Sequence, residues 1–227
     1  MFPVSVIAPA KLNLFLHIVG KRPDGYHLLE SLVVFTEFGD RLDFKPADKL
    51  SLEIAGEFAG NLQADCGNNH IIKAAKLLQP YAKGQGASVI LHKHIPTGAG
   101  LGGGSSDAAA TLKALCKLWD IKPSKQDLMA IALRIGSDVP VCYEGVPSIM
   151  SGIGEQVTPV DIDEAPYILL VNSREPLLTA AVYKQFSSEY TTSGAFQCSG
   201  SLYERVKATH NMLEKPAINL MPQVKDI

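Results

Sequence analysis

The sequence predicts an α+β protein built from two domains, and three observations lead to that prediction. The chain has 227 residues, more than the ~150 that a single domain typically contains. Strand and turn patterns fill the first half, and helical patterns then follow them instead of alternating with them. Residues 152–163 are rich in glycine, proline and acidic side chains. We therefore expect an N-terminal domain over residues 1–155, a C-terminal domain over residues 156–227 and a cleft where they meet.

The predicted strands rest on residues that alternate between two faces. Leu12, Leu14, Leu16 and Ile18 recur at every second position, which is typical of a strand with one buried face. The dipeptide Asp24-Gly25 favours a tight turn, so a returning strand is expected after it. Strands are predicted at residues 12–19, 31–38, 41–45, 50–55, 87–92 and 167–172.

The predicted helices rest on capping residues and on apolar side chains at helical spacing. Asn68 or Asn69 can cap a helix that runs to about Ala82, and Ser124 with Asp127 forms a capping-box pattern for another. Further helices are expected at residues 107–119, 179–186 and 201–213. The polar stretch 187–201 carries little pattern and is expected to be a loop.

Charge and hydropathy exclude several classes of protein. The formal net charge is -2, whereas a nucleic-acid-binding surface is normally basic. No apolar run approaches the ~18 residues that span a membrane, and the N-terminus lacks the pattern of a signal or transit peptide. We expect a cytoplasmic protein. The four cysteines include no C-x-x-C pair, so a disulfide framework is not expected.

The most informative segment is a glycine-rich loop at residues 96–106. Five of the seven residues from Gly98 to Gly104 are glycine, so the backbone can adopt positive φ angles and direct successive N–H groups towards one point. A helix follows at once, and its positive end faces the same point. Both features suit a bound phosphate. A flexible linker is the alternative, but a well-formed Ala/Leu helix seldom follows a linker directly.

Two common phosphate loops fit this segment poorly. A Walker A loop ends in Gly-Lys-Ser/Thr, and no lysine lies between Pro96 and Ala110. Gly98, Gly100 and Gly103 match the Rossmann spacing, which is a weak signal on its own. The acidic residue that should follow ~20 positions later on a second parallel strand is not evident.

The loop resembles instead the ATP loop of the superfamily of galactokinase, homoserine kinase, mevalonate kinase and phosphomevalonate kinase. The triple glycine before Ser105-Ser106, residues 8–14 (Ala-Pro-Ala-Lys-Leu-Asn-Leu) and residues 136–140 (Gly-Ser-Asp-Val-Pro) carry the likeness, which extends over roughly residues 5–186. The resemblance implies the two-domain fold of these small-molecule kinases and ATP as phosphate donor. The ATP-binding residues that it implies are Asn69 and Lys93 near adenosine, with Pro96, Gly98, Gly100, Leu101, Gly102, Gly103, Gly104, Ser105 and Ser106 around the phosphates.

Phosphoryl transfer requires positioning and charge neutralisation more than covalent chemistry. Asp138 follows a predicted helix end, where its side chain could orient or deprotonate a substrate hydroxyl. A nearby Lys11 would keep that carboxylate ionised and stabilise the developing charge. From the residues alone, a turn residue and a solvated lysine are the better interpretations. The resemblance implies instead that Lys11 and Asp138 are catalytic.

Residues 22–27 (Arg-Pro-Asp-Gly-Tyr-His) narrow the resemblance to a superfamily member whose substrate carries a cytidine diphosphate group. An aromatic ring can stack on a base, and a histidine can hydrogen-bond its edge. By this resemblance Tyr26 and His27 bind cytosine, and Tyr183 is an aromatic residue near that base. Asn13 and Thr179 make further substrate contacts. Without it, an exposed Tyr-His pair after a hairpin turn would be the better interpretation.

No metal held by the protein itself is expected. His92 and His94 lie on one face of a predicted strand, but a third ligand is not evident. Mg²⁺ is expected to arrive with ATP, held mainly by phosphate oxygens and water.

The C-terminal region departs from the superfamily pattern. Relatives carry a third glycine-rich motif there, and none is found after residue 187. Residues 217–222 (Ala-Ile-Asn-Leu-Met-Pro) resemble the segment that precedes it. We expect an incomplete C-terminal domain, which puts the activity of this chain in question. Two alternatives stay open: a kinase of the same superfamily for another small alcohol, such as homoserine or mevalonate, and a nucleotide-binding protein without catalysis.

Overall fold

The computed structural model describes residues 4–60, 62, 69–162, 165–192, 194 and 201–226. These residues form two compact units that are each discontinuous in sequence. The first unit draws on residues 4–11, 36–97 and 101–145, and the second on residues 12–35, 98–100 and 146–226. A boundary near residue 155 stays a prediction.

The elements follow one another along the chain in an α+β order. The strands are β1 (Val4–Lys21), β2 (His27–Ala47), β3 (Ser51–Ala55), β4 (Gly86–His92), β5 (Ser148–Gly152) and β6 (Gln156–Pro159). The helices are α1 (His70–Leu78), α2 (Gly103–Leu118), α3 (Lys125–Ile135), α4 (Val139–Glu144), α5 (Thr179–Lys184), α6 (Leu202–Lys207) and α7 (Glu214–Leu220). Short 3-10 turns cover Gln79–Tyr81 and Pro222–Asp226.

In the first unit, β4 lies between β2 and β3. It runs antiparallel to β2, with Arg41 opposite His92, and parallel to β3. A parallel pair needs a long crossover connection, and α1 lies in this one. The side chain of Asn69 accepts a hydrogen bond from the N–H of Ile71 and so caps that helix.

Helix α2 is the centre of the first unit's helical layer, since α1, α3 and α4 all contact it. Its buried side chains include Leu112, Leu115 and Leu118. The indole of Trp119, the residue after α2, donates to the carbonyl of Gly86 at 3.0 Å. This hydrogen bond ties the end of α2 to the beginning of β4.

In the second unit, β5 pairs antiparallel with the first part of β2 and with β6. A small core forms where Phe15, Leu32 and Leu202 are buried together. In the turn between β1 and β2, the N–H of Arg22 donates to the carbonyl of Tyr26 and the N–H of Gly25 donates to the carbonyl of Arg22. Gly25 adopts a φ of 93° there.

The structure confirms most predicted elements and corrects several. The strands predicted at residues 31–38 and 41–45 are one continuous strand, β2, and the helix predicted from residue 107 begins at Gly103. The helix predicted over residues 201–213 ends at Lys207. Helices α4 and α7 and strands β5 and β6 were not predicted.

The strand predicted at residues 167–172 is wrong. The segment has no regular secondary structure, and Tyr167, Leu169 and Val171 are largely exposed. Its continuous apolar run (Tyr-Ile-Leu-Leu-Val) fits a strand, but a strand forms only where a neighbouring strand supplies hydrogen-bond partners. Separately, none of the described helices is long and apolar enough to cross a membrane.

The packing around α2 predicts a difference between two leucine substitutions. Leu112 is fully buried, whereas Leu133 on α3 is 39% exposed. Leu112→Ala should lower the free energy of unfolding by ~2–5 kcal/mol, because it leaves a cavity. Leu133→Ala should cost much less. Urea unfolding followed by the fluorescence of the single tryptophan, Trp119, measures both; equal losses would contradict the central place of α2.

Candidate active site

The glycine-rich loop has the backbone geometry that its sequence predicts. Gly98, Gly100 and Gly102 adopt φ angles of 70°, 73° and 62°, in the left-handed region that favours glycine. Helix α2 begins directly after Gly102, so its unpaired N–H groups and positive end lie at the end of the loop. This arrangement can bind an anion such as a phosphate group.

Lys11 and Asp138 form an ion pair in the first unit. Lys11 Nζ lies 2.8 Å from Asp138 Oδ2. The lysine side chain is only 4% exposed, whereas the aspartate side chain is 33% exposed. Asp138 directly precedes α4, yet its carboxylate does not cap that helix. The pair therefore presents a carboxylate to solvent with a buried ammonium group behind it.

Lys11 is also attached to the glycine-rich loop. Its backbone N–H donates to the carbonyl of Leu101 at 2.9 Å. A β-carbon at Gly102 would lie 2.9 Å from Cε of Lys11, which is closer than real β-carbons approach other atoms. Glycine at residue 102 therefore suits both the φ angle of 62° and the close packing of the Lys11 side chain. Loop, lysine and aspartate form one connected arrangement.

The structure places the two residues predicted near adenosine in structural contacts. Asn69 caps α1. The ammonium group of Lys93 is buried between the carboxylates of Asp40 and Asp107, with 3.1 Å to Asp107 Oδ2. Their contacts with ATP stay predictions.

This buried cluster changes the acid–base behaviour of its members. Burial alone would lower the pKa of Lys93, but the carboxylates of Asp107 and Asp40 raise it above its ordinary value. Burial raises the pKa of Asp107 well above the usual range of a carboxyl group, and Lys93 opposes that shift. Asp107 Oδ1 is buried and has no hydrogen-bond partner among the described residues.

His70 is a further residue near the loop that sequence reasoning missed. Its Nδ1 would lie 3.4 Å from a β-carbon at Gly104, and its Cε1 would lie 3.9 Å from one at Gly136. Burial lowers the pKa of His70. One turn later on α1, Lys73 donates to the carbonyl of Ile135 at 2.9 Å. Helix α1 thus contacts both the start of α2 and the end of α3.

The second unit holds the residues predicted to bind substrate. The side-chain amide of Asn13 donates to Ser31 Oγ at 2.7 Å, and Ser31 Oγ donates to the carbonyl of Phe15. These contacts fix the Asn13 side chain on β1. Tyr26 is 57% exposed at the hairpin turn.

The structure brings together His27 and Tyr183, as the resemblance implied for residues at one base-binding site. Their rings stack with centroids 5.4 Å apart, and Phe186 meets His27 edge-on at 5.7 Å. Phe186 was not predicted, because a single phenylalanine after a short helix carries no signal in sequence. Thr179 is the exposed first residue of α5. Burial and the nearby Lys21 lower the pKa of His27.

His92, the last residue of β4, and His94, two residues further on, have other partners. His92 Nε2 lies 2.9 Å from Asp43 Oδ2, and His94 Nδ1 lies 3.2 Å from the carbonyl of Gly39. Within the described ranges, no three His, Cys, Asp or Glu side chains are grouped so that they could hold a metal ion.

The first unit thus contains the groups that an alcohol phosphotransferase needs. The loop and the start of α2 offer N–H donors to phosphates. The carboxylate of Asp138 can accept a proton, and Lys11 can stabilise negative charge beside it.

Comparison with known proteins agrees with this chemistry. Residues 69–146 match the family model of the GHMP kinases N terminal domain. The structure of a homoserine kinase from Cytophaga hutchinsonii superposes with a TM-score of 0.66 over 99% of this chain and 76% of that chain, at 18% identity. At that identity the likeness shows the fold alone, and it confirms the predicted kinase fold.

Two further relatives are more similar in sequence. The 4-diphosphocytidyl-2-C-methyl-D-erythritol kinase of Paramagnetospirillum magneticum is 44% identical over 100% of this chain and 81% of its own length. A crystal structure of 4-(cytidine 5'-diphospho)-2C-methyl-D-erythritol kinase covers 98% of this chain with 80% of its own length, at 31% identity and a TM-score of 0.69. With a kinase-type loop, a Lys-Asp pair and relatives this similar over its whole length, the chain belongs to the 4-diphosphocytidyl-2-C-methyl-D-erythritol kinase family.

Proposed function

We propose that this protein transfers the γ-phosphoryl group of ATP to the 2-hydroxyl of 4-diphosphocytidyl-2-C-methyl-D-erythritol, a step of non-mevalonate isoprenoid precursor synthesis. Membership of the kinase family supports the reaction class. The observation that carries the proposal for this chain is the 2.8 Å ion pair between Lys11 and Asp138, joined through Leu101 to the glycine-rich loop.

The loop binds the triphosphate. N–H groups of residues 101–106 and the positive end of α2 stabilise the charge on the phosphate oxygens. Pro96, Gly98 and Gly100 shape the entry to the loop, and Ser105 and Ser106 lie in the first turn of α2. Mg²⁺ enters with ATP as part of the substrate, bound to phosphate oxygens and water.

Asp138 and Lys11 act on the acceptor hydroxyl. The hydroxyl oxygen attacks the γ-phosphorus and the bond to the bridging oxygen of ADP breaks, while the hydroxyl proton passes to the Asp138 carboxylate. The exposed third of the Asp138 side chain is accessible to the substrate. Lys11, 2.8 Å from that carboxylate, stabilises the negative charge of the transferring group.

The cytosine is bound by the aromatic residues of the second unit. His27, stacked on Tyr183, can hydrogen-bond the edge of the base, and Tyr26 offers an exposed ring for stacking. Asn13 and Thr179 supply polar contacts to the rest of the substrate. A phosphoryl-transfer assay tests the assignment with the cytidyl alcohol, homoserine and mevalonate as acceptors. Turnover of homoserine or mevalonate alone would overturn it, and ATP binding without any turnover would favour a non-catalytic protein.

The loop geometry predicts that Gly103→Val abolishes ATP binding. A β-carbon at residue 103 would lie 2.9 Å from Lys93 Nζ and 3.2 Å from a methyl carbon of Ile95, and the branched valine side chain adds further bulk, so the loop or these side chains must shift. Gly60→Ala is the control, because a β-carbon there meets nothing within 4 Å. Calorimetric titration with a non-hydrolysable ATP analogue measures both. Unchanged affinity in a folded Gly103→Val variant would mean that the loop does not bind ATP.

The proposed role of Asp138 predicts a defect in turnover rather than in ATP binding. Asp138→Asn keeps the side-chain shape but cannot accept the proton, so kcat should fall by ~10² or more while the affinity for ATP stays nearly intact. Asp120→Asn, at an exposed position with a φ of 49° that asparagine tolerates, is the control. Steady-state kinetics with both substrates varied measures the effects. Turnover at the unsubstituted rate would remove Asp138 from the mechanism.

The proposed cytosine site predicts an effect on one substrate only. Tyr26→Ala should weaken the cytidyl substrate by ~1–3 kcal/mol, the scale of a lost base stack, without changing ATP affinity. His27→Ala should also reduce discrimination between cytidine and uridine diphosphate analogues, because the two bases differ in donors and acceptors. Tyr203→Ala, 71% exposed on α6, is the control. Competition binding measures all three. Equal losses for both substrates would indicate misfolding, and no loss would place the cytosine elsewhere.

A further inference from the structure

Beside the glycine-rich loop lies a cluster of three buried charged side chains that the proposed chemistry does not use. Lys93 directly follows β4, Asp40 lies on β2 and Asp107 lies in the first turns of α2. Relative exposure is 2% for Lys93, 0% for Asp40 and 3% for Asp107. The three residues come from three separate elements of the first unit.

Each carboxylate of the cluster holds a different end of the loop. Asp40 Oδ1 accepts hydrogen bonds from the backbone N–H groups of His94 and Ile95, at 2.6 and 2.8 Å, where the chain leaves β4 and enters the loop. Asp107 Oδ2 lies 3.1 Å from Lys93 Nζ and so ties the start of α2, where the chain leaves the loop. Lys93 donates to both carboxylates. One ammonium group thus links both ends of the phosphate loop.

The cluster also contacts the loop itself. Lys93 Nζ would lie 2.9 Å from a β-carbon at Gly103, the first residue of α2, so the ammonium group packs directly against this turn. The backbone N–H groups proposed to bind phosphate belong to this same turn. The ammonium group therefore lies beside the N–H groups that the proposal assigns to phosphate.

Stability alone is a weak explanation for this cluster. Two carboxyl groups and one ammonium group lie together in the interior, and burying charged groups costs more free energy than burying apolar groups of similar size. Burial raises the pKa of Asp107, which reflects that cost. What the three side chains provide instead is a fixed backbone geometry at both ends of the loop.

We propose that Asp40, Lys93 and Asp107 are positioning residues for phosphoryl transfer, which hold both ends of the glycine-rich loop so that its N–H groups are aligned before ATP binds. The inference rests on the proposed function and deepens it. In this inference Lys93 affects ATP binding indirectly, by holding the loop, and not through a contact with adenosine. Preorganised donors of this kind bind an anion without the cost of ordering the loop at that moment.

A pair of substitutions at Asp107 tests the tether. Asp107→Ala removes the acceptor for Lys93, and it should weaken binding of a non-hydrolysable ATP analogue by ~10–100-fold, the scale seen when a supporting partner of a binding group is lost. Asp107→Asn keeps an oxygen for Lys93 and should retain the affinity. KM for the cytidyl substrate at saturating ATP should stay unchanged in both, whereas a purely structural residue would alter stability without this selectivity.

Two controls make the test specific to the tether. Thr111→Val, one turn further along α2, removes a buried hydroxyl that donates to the Asp107 carbonyl and should leave ATP affinity unchanged. Lys125→Ala breaks the exposed ion pair with Glu144 and should also have no effect. If Asp107→Ala does not fold, Asp107→Ser takes its place, because a serine hydroxyl is too short to reach Lys93 but can bond a carbonyl of its own helix.

The outcomes separate this inference from the proposed function. Unchanged ATP affinity in a folded Asp107→Ala or Asp107→Ser variant overturns the inference alone. Equal weakening by Asp107→Asn also overturns it, since the tether would still be present in that variant. If the unsubstituted chain fails to bind the ATP analogue, the proposed function fails and the inference falls with it.

Discussion

The ion pair between Lys11 and Asp138 is the constraint on which the rest of the site depends. It joins the first part of β1 to the start of α4, two segments that are far apart in sequence. The backbone N–H of Lys11 donates to the carbonyl of Leu101, and the Lys11 side chain occupies the space beside Gly102. One lysine therefore contacts both the carboxylate of Asp138 and the glycine-rich loop. The ammonium group can be buried at this position because the neighbouring carboxylate compensates its charge.

The first unit contains two lysine–carboxylate arrangements, and they differ in access to solvent. In the Lys11 pair the aspartate side chain is one-third exposed, so a substrate hydroxyl can reach it. In the Lys93 cluster all three side chains are buried, so no substrate can reach them without unfolding the structure around them. A group that accepts a proton from the substrate must be accessible to it. A group that only holds the backbone in place benefits from the exclusion of water, because electrostatic interactions are stronger in the protein interior. The same residue types thus suit two different roles.

The sequence predicts the site better than it predicts its supports. Lys11, Asp138 and the glycines lie in recognisable motifs, and the structure brings Lys11 and Asp138 together as expected. Asp40 lies in no motif, and it meets Lys93 only because β2 pairs with β4, a contact between distant positions. The contacts of His70 and Phe186 were likewise recognised only in the structure. Their roles come from tertiary neighbours, which a single sequence does not show.

The fold shows the same limit in its shortest elements. Helix α4 has six residues and strand β6 four, too few for a periodic pattern to stand out. The pattern at residues 167–172 is clear, but a strand also needs a partner with free backbone groups. Local sequence pattern therefore predicts long amphipathic elements such as α2, whereas contacts with neighbouring elements determine where the short elements form.

The protonation of His27 links packing to the recognition proposed for it. Burial and the positive charge of Lys21 both lower the pKa of this histidine, so the neutral imidazole prevails near neutral pH. A neutral imidazole carries one donor and one acceptor, whereas a protonated ring offers donors alone. The edge of cytosine also presents both an acceptor and an amino donor, so the neutral ring is the form that can complement either. The stacked Tyr183 and the edge-on Phe186 fix the ring's orientation and contribute to the burial that keeps it neutral.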